Sequence, residues 1–253
     1  MNELRLAFGL LTAVPVGRLP EVSRRSAGAA ILLAPLTTLP LLVALAGGHL
    51  LVGRAGAPAL VVAALVVVCE ALVTRAMHLD GLADTADGLS AGYDAESSLR
   101  AMKASDIGPS GVAAVVLTLL LQAACLSALL PTVGGTVAAG LAWLAARQVL
   151  TWACRRGVPS ARPTGLGAMV AGTVPLAAAI AGSLVVAVAG WAAVWAAAGQ
   201  GWSGPLVVAA AVLSSLALGR RATRRFGGIN GDVLGAVVEV ALTSGLVMAV
   251  LVR

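Results

Sequence analysis

Apolar runs recur along the whole chain, and several reach about 17 to 25 residues, the length that a helix needs to cross a bilayer. Of the 253 residues, 59% are hydrophobic and only 11% are charged. The mean hydropathy is +0.97, so the chain has too few polar side chains to cover a soluble domain of this size. The sequence therefore predicts an all-α protein, a polytopic transmembrane helical bundle.

Seven membrane spans are predicted from these runs. Their expected positions are 27–46, 58–77, 111–130, 133–154, 174–197, 205–219 and 233–252. The sixth run is short for a full span. Residues 1–26 interrupt each apolar run with Arg, Gly or Pro, which is not typical of a signal peptide and favours an amphipathic segment on the membrane, over about 4–14. The whole chain, 1–253, is thus predicted to be one integral membrane domain.

Basic residues are unevenly divided between the two sides of the predicted bundle. Of the 17 lysines and arginines, all but Arg54 and Arg253 fall on one side. The positive-inside rule assigns that side to the cytoplasm, with the N-terminus inside and the C-terminus outside. The net charge of +6 is then a topology signal, and the bilayer, not nucleic acid, is the expected partner.

Three carboxylates stand close together in HLDGLADTADGL, residues 78–89. They are Asp80, Asp84 and Asp87, in a chain with only 11 acidic residues. On a helix they would lie within an arc of about 60°, where like charges repel. A divalent cation would balance them, and oxygen ligands beside a substrate phosphate suit Mg²⁺. The pattern predicts a Mg²⁺ site at these aspartates, with a solvated acidic turn as the alternative.

Two further stretches lie on the same predicted side as the aspartates. AMKASDIGPSG, residues 101–111, is either a turn into the third span or part of a binding site. FGGINGDVLGA, residues 226–236, opens the last helix with glycines, and a helix N-terminus preceded by such backbone can bind phosphate. The candidate binding residues in the two stretches are Lys103, Ser105, Gly227, Gly228, Asn230 and Asp232.

The stretches HLDGLADTADGL, ARPTGLG (161–167) and GGINGDVLGA (227–236) together resemble the motifs of the cobalamin synthase family. The resemblance covers nearly the whole chain. It implies a Mg²⁺-dependent enzyme of the bacterial cytoplasmic membrane with its active face toward the cytoplasm. Such an enzyme joins adenosylcobinamide-GDP to α-ribazole or its 5′-phosphate and releases GMP. The resemblance also implies that Arg162 and the glycine-rich loop hold substrate phosphates, and that Asp232 is a further metal ligand or an orienting acceptor.

The chain departs from the family pattern after the aspartates. The family has Lys/Arg-Asp-Ser-Arg there, whereas this chain has Lys103, Ala104, Ser105 and Asp106. No role is therefore carried over to Ala104 or Asp106.

Two other classes of membrane protein fit these residues less well. A membrane phosphotransferase of the CDP-alcohol type would need an arginine where Asp84 follows Ala83. A transporter would need charges at mid-membrane on several helices, and only Glu70, Arg147 and Glu239 qualify. Because charges at that depth need partners, we expect Glu70 to pair with Arg147, with Glu239 as the competing acid. Whether the chain forms a homo-oligomer is left open.

The predicted topology can be tested with reporter fusions. A reporter fused after Arg225 should behave as cytoplasmic, and one fused at Gly201 as external, because the basic segments stay inside. Reporters that indicate the same side at both positions would contradict the seven-span topology.

Overall fold

The computed structural model describes residues 2–19, 21–91, 94–103, 106–199 and 201–253. Within these ranges it contains no β-strand, which confirms the all-α prediction. A 3₁₀-helix covers Ala34–Thr38. The α-helices are α1 (Asn2–Leu11), α2 (Arg24–Leu32), α3 (Leu39–Ala55), α4 (Ala59–Val73), α5 (Met77–Ser90), α6 (Ala95–Ala101), α7 (Pro109–Leu129), α8 (Val133–Ala153), α9 (Leu166–Val170), α10 (Leu176–Ala198), α11 (Ser203–Phe226) and α12 (Gly231–Leu251).

Six helical segments in the described ranges are long and apolar enough to cross a membrane. They are Ala34–Ala55 and the helices α7, α8, α10, α11 and α12. The helix α4 is a seventh candidate if it is counted with α5, from which it is separated by a bend of 88°. The chain is therefore an integral membrane protein with six or seven spans, as its composition predicts.

The first span lies about eight residues later than expected. Residues 27–32, predicted to begin it, belong to the short helix α2. Ser23 starts this helix with a capping box, in which its hydroxyl accepts from the Ser26 N–H and the Ser26 hydroxyl accepts from the Ser23 N–H. The helix stops at Leu33, and Pro35 follows in the first turn of the 3₁₀-helix. A proline is tolerated at that position because the first N–H groups of a helix have no partner within it.

The second span was predicted as a continuous helix over 58–77, and this is wrong. The helix α4 ends at Val73, and both Arg75 and Ala76 have left-handed backbone, with φ of 54°. That conformation interrupts a right-handed helix. The chain resumes as α5, so the three aspartates lie on a helix and not in a loop.

The sixth span is longer than its apolar run. We expected 205–219, but α11 runs from Ser203 to Phe226 and includes the four arginines after Gly219. A helix that extends past the hydrocarbon core can carry charged side chains on its last two turns, since these reach the interface. Gly227 ends it in a left-handed conformation, with φ of 79°, as glycine commonly does after a helix.

The helices α8 and α12 form the inner layer of the bundle. In the most apolar 18-residue stretch of each helix, 72% is buried inside the protein for α8 and 67% for α12. The same share is 22% for α7 and 17% for α10. The outer helices therefore face lipid. At one end of the bundle lie α5, the first turns of α7 and α12, and the last turns of α8 and α11; we call this the charged end, because the aspartates of α5 and the arginines of α11 lie there.

Four ionisable side chains, Glu70, His78, Arg147 and Glu239, are buried between the helices, and the expected pair of Glu70 with Arg147 is not in direct contact. Among the described residues, neither Glu70 nor Glu239 lies within 4.0 Å of Arg147. The Arg147 Nη1 group instead donates a hydrogen bond to the His78 ring, whose Nε2 and Nδ1 atoms lie 2.9 and 3.0 Å away. Glu239 accepts a hydrogen bond of 2.9 Å from the amide of Gln122. The bend after α4 places His78, in the first turn of α5, where Arg147 reaches its ring.

The crossing of α10 and α11 provides a test of the packing. A Cβ atom at Gly204 would lie 2.7 Å from the Trp191 backbone nitrogen and 2.9 Å from the Gly190 carbonyl oxygen. These backbone atoms cannot rotate away, so Gly204→Ala should destabilise the fold by about 1 to 3 kcal/mol. The measurement is the thermal unfolding midpoint in detergent. Gly53→Ala is the control, because its Cβ atom would meet nothing within 4 Å, and its midpoint should not fall.

Candidate functional site

The helix α5 lies across the first turns of α12 and α7, and glycines allow the close approach. A Cβ atom at Gly81 would come within 2.5 Å of the Asp232 carbonyl oxygen. One at Gly235 would be 3.0 Å from the His78 Cα atom. The two helices thus touch backbone to backbone, and the acids of α5 are brought to the N-terminus of α12. The crossing also places α5 at the charged end.

Asp87 is the N-terminal cap of α7. Its two carboxylate oxygens accept hydrogen bonds from the backbone N–H groups of Gly108, at 2.7 Å, and Gly111, at 2.8 Å. A carboxylate stabilises a helix N-terminus because the first N–H groups have no partner within the helix and carry a partial positive charge. Glycine is required at both positions, since a Cβ atom would lie 2.5 Å from the carboxylate. Gly108 and Pro109 mark the start of a helix in the sequence. That Asp87, more than 20 residues earlier, caps this helix cannot be read from the sequence.

Asp80, Asp84 and Asp232 form the acidic group of the site. Burial, as the largest cause, and then the negative charges of Asp232, Asp80 and Asp87 together raise the pKa of Asp84 to about 6. The Arg162 guanidinium acts on Asp84 in the opposite direction. The structure therefore brings together four of the predicted acids and one predicted base. A carboxyl whose pKa is raised by its neighbours has too little positive charge around it.

Arg162 reaches this group from the segment that follows α8. Its Nη2 atom donates to the Leu99 carbonyl oxygen at 3.3 Å, which holds the guanidinium beside α6. Its charge acts on Asp84 and on Asp232. A guanidinium between acids can hold a phosphate oxygen without displacing a metal ligand, because it has several donors in one plane.

The glycine-rich segment before α12 is used for packing. A Cβ atom at Gly228 would lie 2.5 Å from the Pro159 carbonyl oxygen, and the Ile229 N–H donates to that same oxygen at 2.9 Å. The Ala161 N–H returns a bond of 2.8 Å to the Ile229 carbonyl. These contacts fix Arg162 next to the start of α12. Phosphate binding by Gly227 and Gly228 stays a prediction.

Asn230 orients the first acid of α12. Its side-chain oxygen accepts from the Val233 N–H at 2.9 Å and so caps the helix. Its side-chain amide donates to Asp232 Oδ2, also at 2.9 Å. The residue therefore holds a carboxylate in place, and its predicted contact with substrate is untested.

An apolar cleft opens beside the acids, and its walls were not predicted. It has a volume of about 220 Å³ and reaches Asp80 and Asp232. Its aliphatic walls include Leu10 of α1, Ile31 of α2 and Leu166 of α9. No sequence pattern connects these distant helices with the acidic motif. We expected the N-terminal segment to lie on the membrane, whereas Leu6, Ala7 and Leu11 of α1 are buried in the protein.

One further candidate, Lys103, is not brought to the acidic group. Lys103 lies on an exposed turn after α6, and Ser105, like Ala104, lies outside the described residues. Within those residues, no three acidic, histidine or cysteine side chains converge as a ready-made metal cage. The grouping still fits Mg²⁺, which keeps several waters and needs only one or two carboxylates when a substrate phosphate completes its shell.

Comparison with known proteins defines the family. Residues 3–250 match the model of the cobalamin-5-phosphate synthase family. The chain belongs to this family. It is therefore an enzyme, and the cobalamin biosynthesis predicted from its motifs is confirmed at the level of the family. No solved structure matches the chain.

The sequence similarity to several relatives extends along nearly the full length of the chain. A protein of a Nocardioides species is 43% identical over 96% of this chain and 95% of its own, and one of Frankia casuarinae is 40% identical over 98% and 95%. A protein of Bradyrhizobium diazoefficiens is 37% identical over 92% and 87%. All three carry the name adenosylcobinamide-GDP ribazoletransferase.

The two kinds of aspartate on α5 can be separated by their effect on stability. Asp87→Ala removes two charge-assisted hydrogen bonds to the N-terminus of α7, so it should cost about 1 to 3 kcal/mol of folding free energy. Asp84→Ala should leave the unfolding midpoint unchanged or raise it, because it removes a carboxylate that its neighbours repel. Both midpoints are measured in detergent with a chelator present. Equal losses in the two variants would contradict the capping role.

Proposed function

We propose that the chain is an adenosylcobinamide-GDP ribazoletransferase that depends on Mg²⁺. It would join adenosylcobinamide-GDP to α-ribazole or to its 5′-phosphate, giving adenosylcobalamin or its 5′-phosphate and releasing GMP. The family and the names of the relatives support the reaction. The observation that carries the proposal is the grouping of Asp80, Asp84 and Asp232 with Arg162 at one end of the bundle.

The acids suit the chemistry of a diphosphate. Asp80, Asp84 and Asp232 would hold Mg²⁺, with Asp87 behind them on the N-terminus of α7. When bound, the metal would neutralise negative charge on the diphosphate and on the leaving group. Without a cation, these carboxylates would repel a diphosphate, which is why the raised pKa of Asp84 supports a cation at this place.

The residues of the chain would bind and align the reacting groups. Arg162 would hold non-bridging phosphate oxygens through two of its N–H groups. A ribazole hydroxyl would then attack the phosphorus on the cobinamide side, forming a new P–O bond as the bond to GMP breaks. Such a displacement gains most from positioning and from charge stabilisation, and both need the fixed crossing of α5 and α12.

The apolar cleft fits the acceptor. The base of α-ribazole is a substituted benzimidazole, a flat and largely apolar ring. Leu10, Ile31 and Leu166 provide aliphatic walls for such a ring, and the same cleft ends at Asp80 and Asp232. An apolar ring in the cleft would therefore bring its ribose toward the acids.

We further assign the charged end to the cytoplasm and the chain to the bacterial cytoplasmic membrane. The support is the distribution of arginine, since Arg155, Arg156 and Arg162 follow α8 and four more arginines end α11. Basic segments are retained on the cytoplasmic side. Nucleotide substrates are then available to the site without crossing the membrane.

Asp84→Asn tests the metal site. The change keeps size and shape but removes the charge that Mg²⁺ needs, and so should lower the rate of GMP release at least a hundredfold, or about 2.7 kcal/mol. High Mg²⁺ should restore part of the rate. The assay uses reconstituted protein with adenosylcobinamide-GDP and α-ribazole across a Mg²⁺ titration.

The matched control is Glu96→Gln. Glu96 is exposed and pairs only with Arg100 of its own helix, a surface ion pair of little energetic value. Its loss should leave the rate within about twofold of wild type. Activity of Asp84→Asn within threefold of wild type at every Mg²⁺ concentration would refute the metal site, and wild-type protein that releases no GMP would refute the reaction.

A further inference from the structure

One face of α11 changes from aliphatic to basic as it approaches the charged end. Leu206 and Leu213 are 45% and 66% exposed, and Arg220 follows at the same spacing of seven residues. Positions seven apart on a helix differ by only about 20° in direction, so the three side chains form one outward stripe. Arg224 stands one turn beyond Arg220. An outward stripe on a membrane helix faces lipid, with its aliphatic part in the hydrocarbon and its basic part at the headgroups.

The arginines of this stripe have no counter-charge within the described chain. No hydrogen bond or ion pair joins Arg220, Arg221 or Arg224 to another described residue. Arg225 differs, because its Nε atom donates to the Ser98 hydroxyl at 3.0 Å and its Nη2 atom to the Ala91 carbonyl at 3.4 Å. Arg225 thus braces α6, whereas the other three guanidiniums are available to an external anion.

A cleft lies next to the stripe, between the last turns of α8 and α11. It has a volume of about 200 Å³, with Arg155, Arg220 and Arg224 around it and Trp152 and Leu216 on its apolar side. The indole of Trp152 is fixed by a hydrogen bond of 2.9 Å from its Nε1 atom to the Ser183 hydroxyl. The cleft is therefore preformed, and it combines positive charge with an apolar wall.

This cleft is separate from the acidic site. No residue that lines it also lines the cleft beside Asp80 and Asp232. Pro159 and Ile229 form part of its wall, and these two residues belong to the paired segments that hold Arg162. The substrate-binding residues assigned above thus leave the arginine cleft unexplained.

We propose that the arginine cleft binds the phosphate of an anionic phospholipid, whose acyl chains lie along Leu213 and Leu206. Arg220 and Arg224 hold the phosphate oxygens, and Trp152 lies beside the glycerol region. The stripe supports a lipid over a soluble anion, because Leu213 is only about 10 Å along the helix from Arg220, within the reach of an acyl chain. Basic pockets between membrane helices bind anionic headgroups by the same electrostatic attraction.

Native mass spectrometry of the full chain in detergent tests the proposal. Dioleoylphosphatidylglycerol and dioleoylphosphatidylcholine are titrated separately, and the fraction of protein that carries one lipid gives the relative affinities. We expect the anionic lipid to bind at least tenfold more tightly. In the double variant Arg220→Gln/Arg224→Gln, the affinity for the anionic lipid should fall about thirtyfold, since two arginines near a lipid phosphate are removed.

Two controls separate this site from bulk charge and from soluble phosphate. Arg18→Gln/Arg25→Gln removes two exposed arginines elsewhere and should keep the wild-type affinity. Orthophosphate in large molar excess over the lipid should not displace the bound lipid. Equal affinity for the two lipids, an equal loss in both double variants, or displacement by orthophosphate would each overturn the proposal. All variants are first matched for their unfolding midpoint, so that loss of lipid is not loss of fold.

Discussion

The bend between α4 and α5 is the constraint on which the rest of the site depends. Two residues with left-handed backbone, Arg75 and Ala76, turn the chain by 88° and send α5 across the bundle instead of out of it. Because α5 then lies over the N-termini of α7 and α12, its acids meet helix ends that carry partial positive charge. Without the bend, Asp80 and Asp84 would follow the axis of α4 away from Asp232.

The acidic site combines two opposing electrostatic arrangements. Asp87 is satisfied, since it accepts two backbone hydrogen bonds at the start of α7. Asp84 is not, since burial and then three nearby carboxylates raise its pKa, and the Arg162 guanidinium opposes them. The satisfied acid holds the geometry, and the unsatisfied one leaves the site short of positive charge. Carboxylates that repel one another stay close together only where packing elsewhere fixes their helices. Here the backbone contacts of Gly81 and Gly235 fix α5 against α12.

Much of the fold follows from the sequence because the hydrocarbon core of a membrane offers no hydrogen-bond partners to the backbone. Long apolar runs must become helices there, so the third, fourth, fifth and seventh spans were placed within two residues. The breaks were harder to predict. The break at Leu33 and Pro35 and the left-handed pair at Arg75 and Ala76 are local features inside the predicted spans, and they moved the first span and shortened the second. The acids were recognised from their spacing, but the capping by Asp87 and the wall formed by Leu10 and Ile31 depend on contacts between distant segments, which periodicity does not reveal.

The position of α12 has a consequence for how the protein is made. This helix is an inner one, and it packs against α5, α7, α8 and α11. It also leaves the ribosome after α1 to α11, because chains are synthesised and begin to fold from the N-terminus. Until it inserts, the groove between α5 and α8 has no occupant, and the acids of α5 have no Asp232 beside them. Assembly of the acidic site therefore waits for α12, and a nascent chain that stalls before this helix is a membrane-inserted protein with an incomplete site.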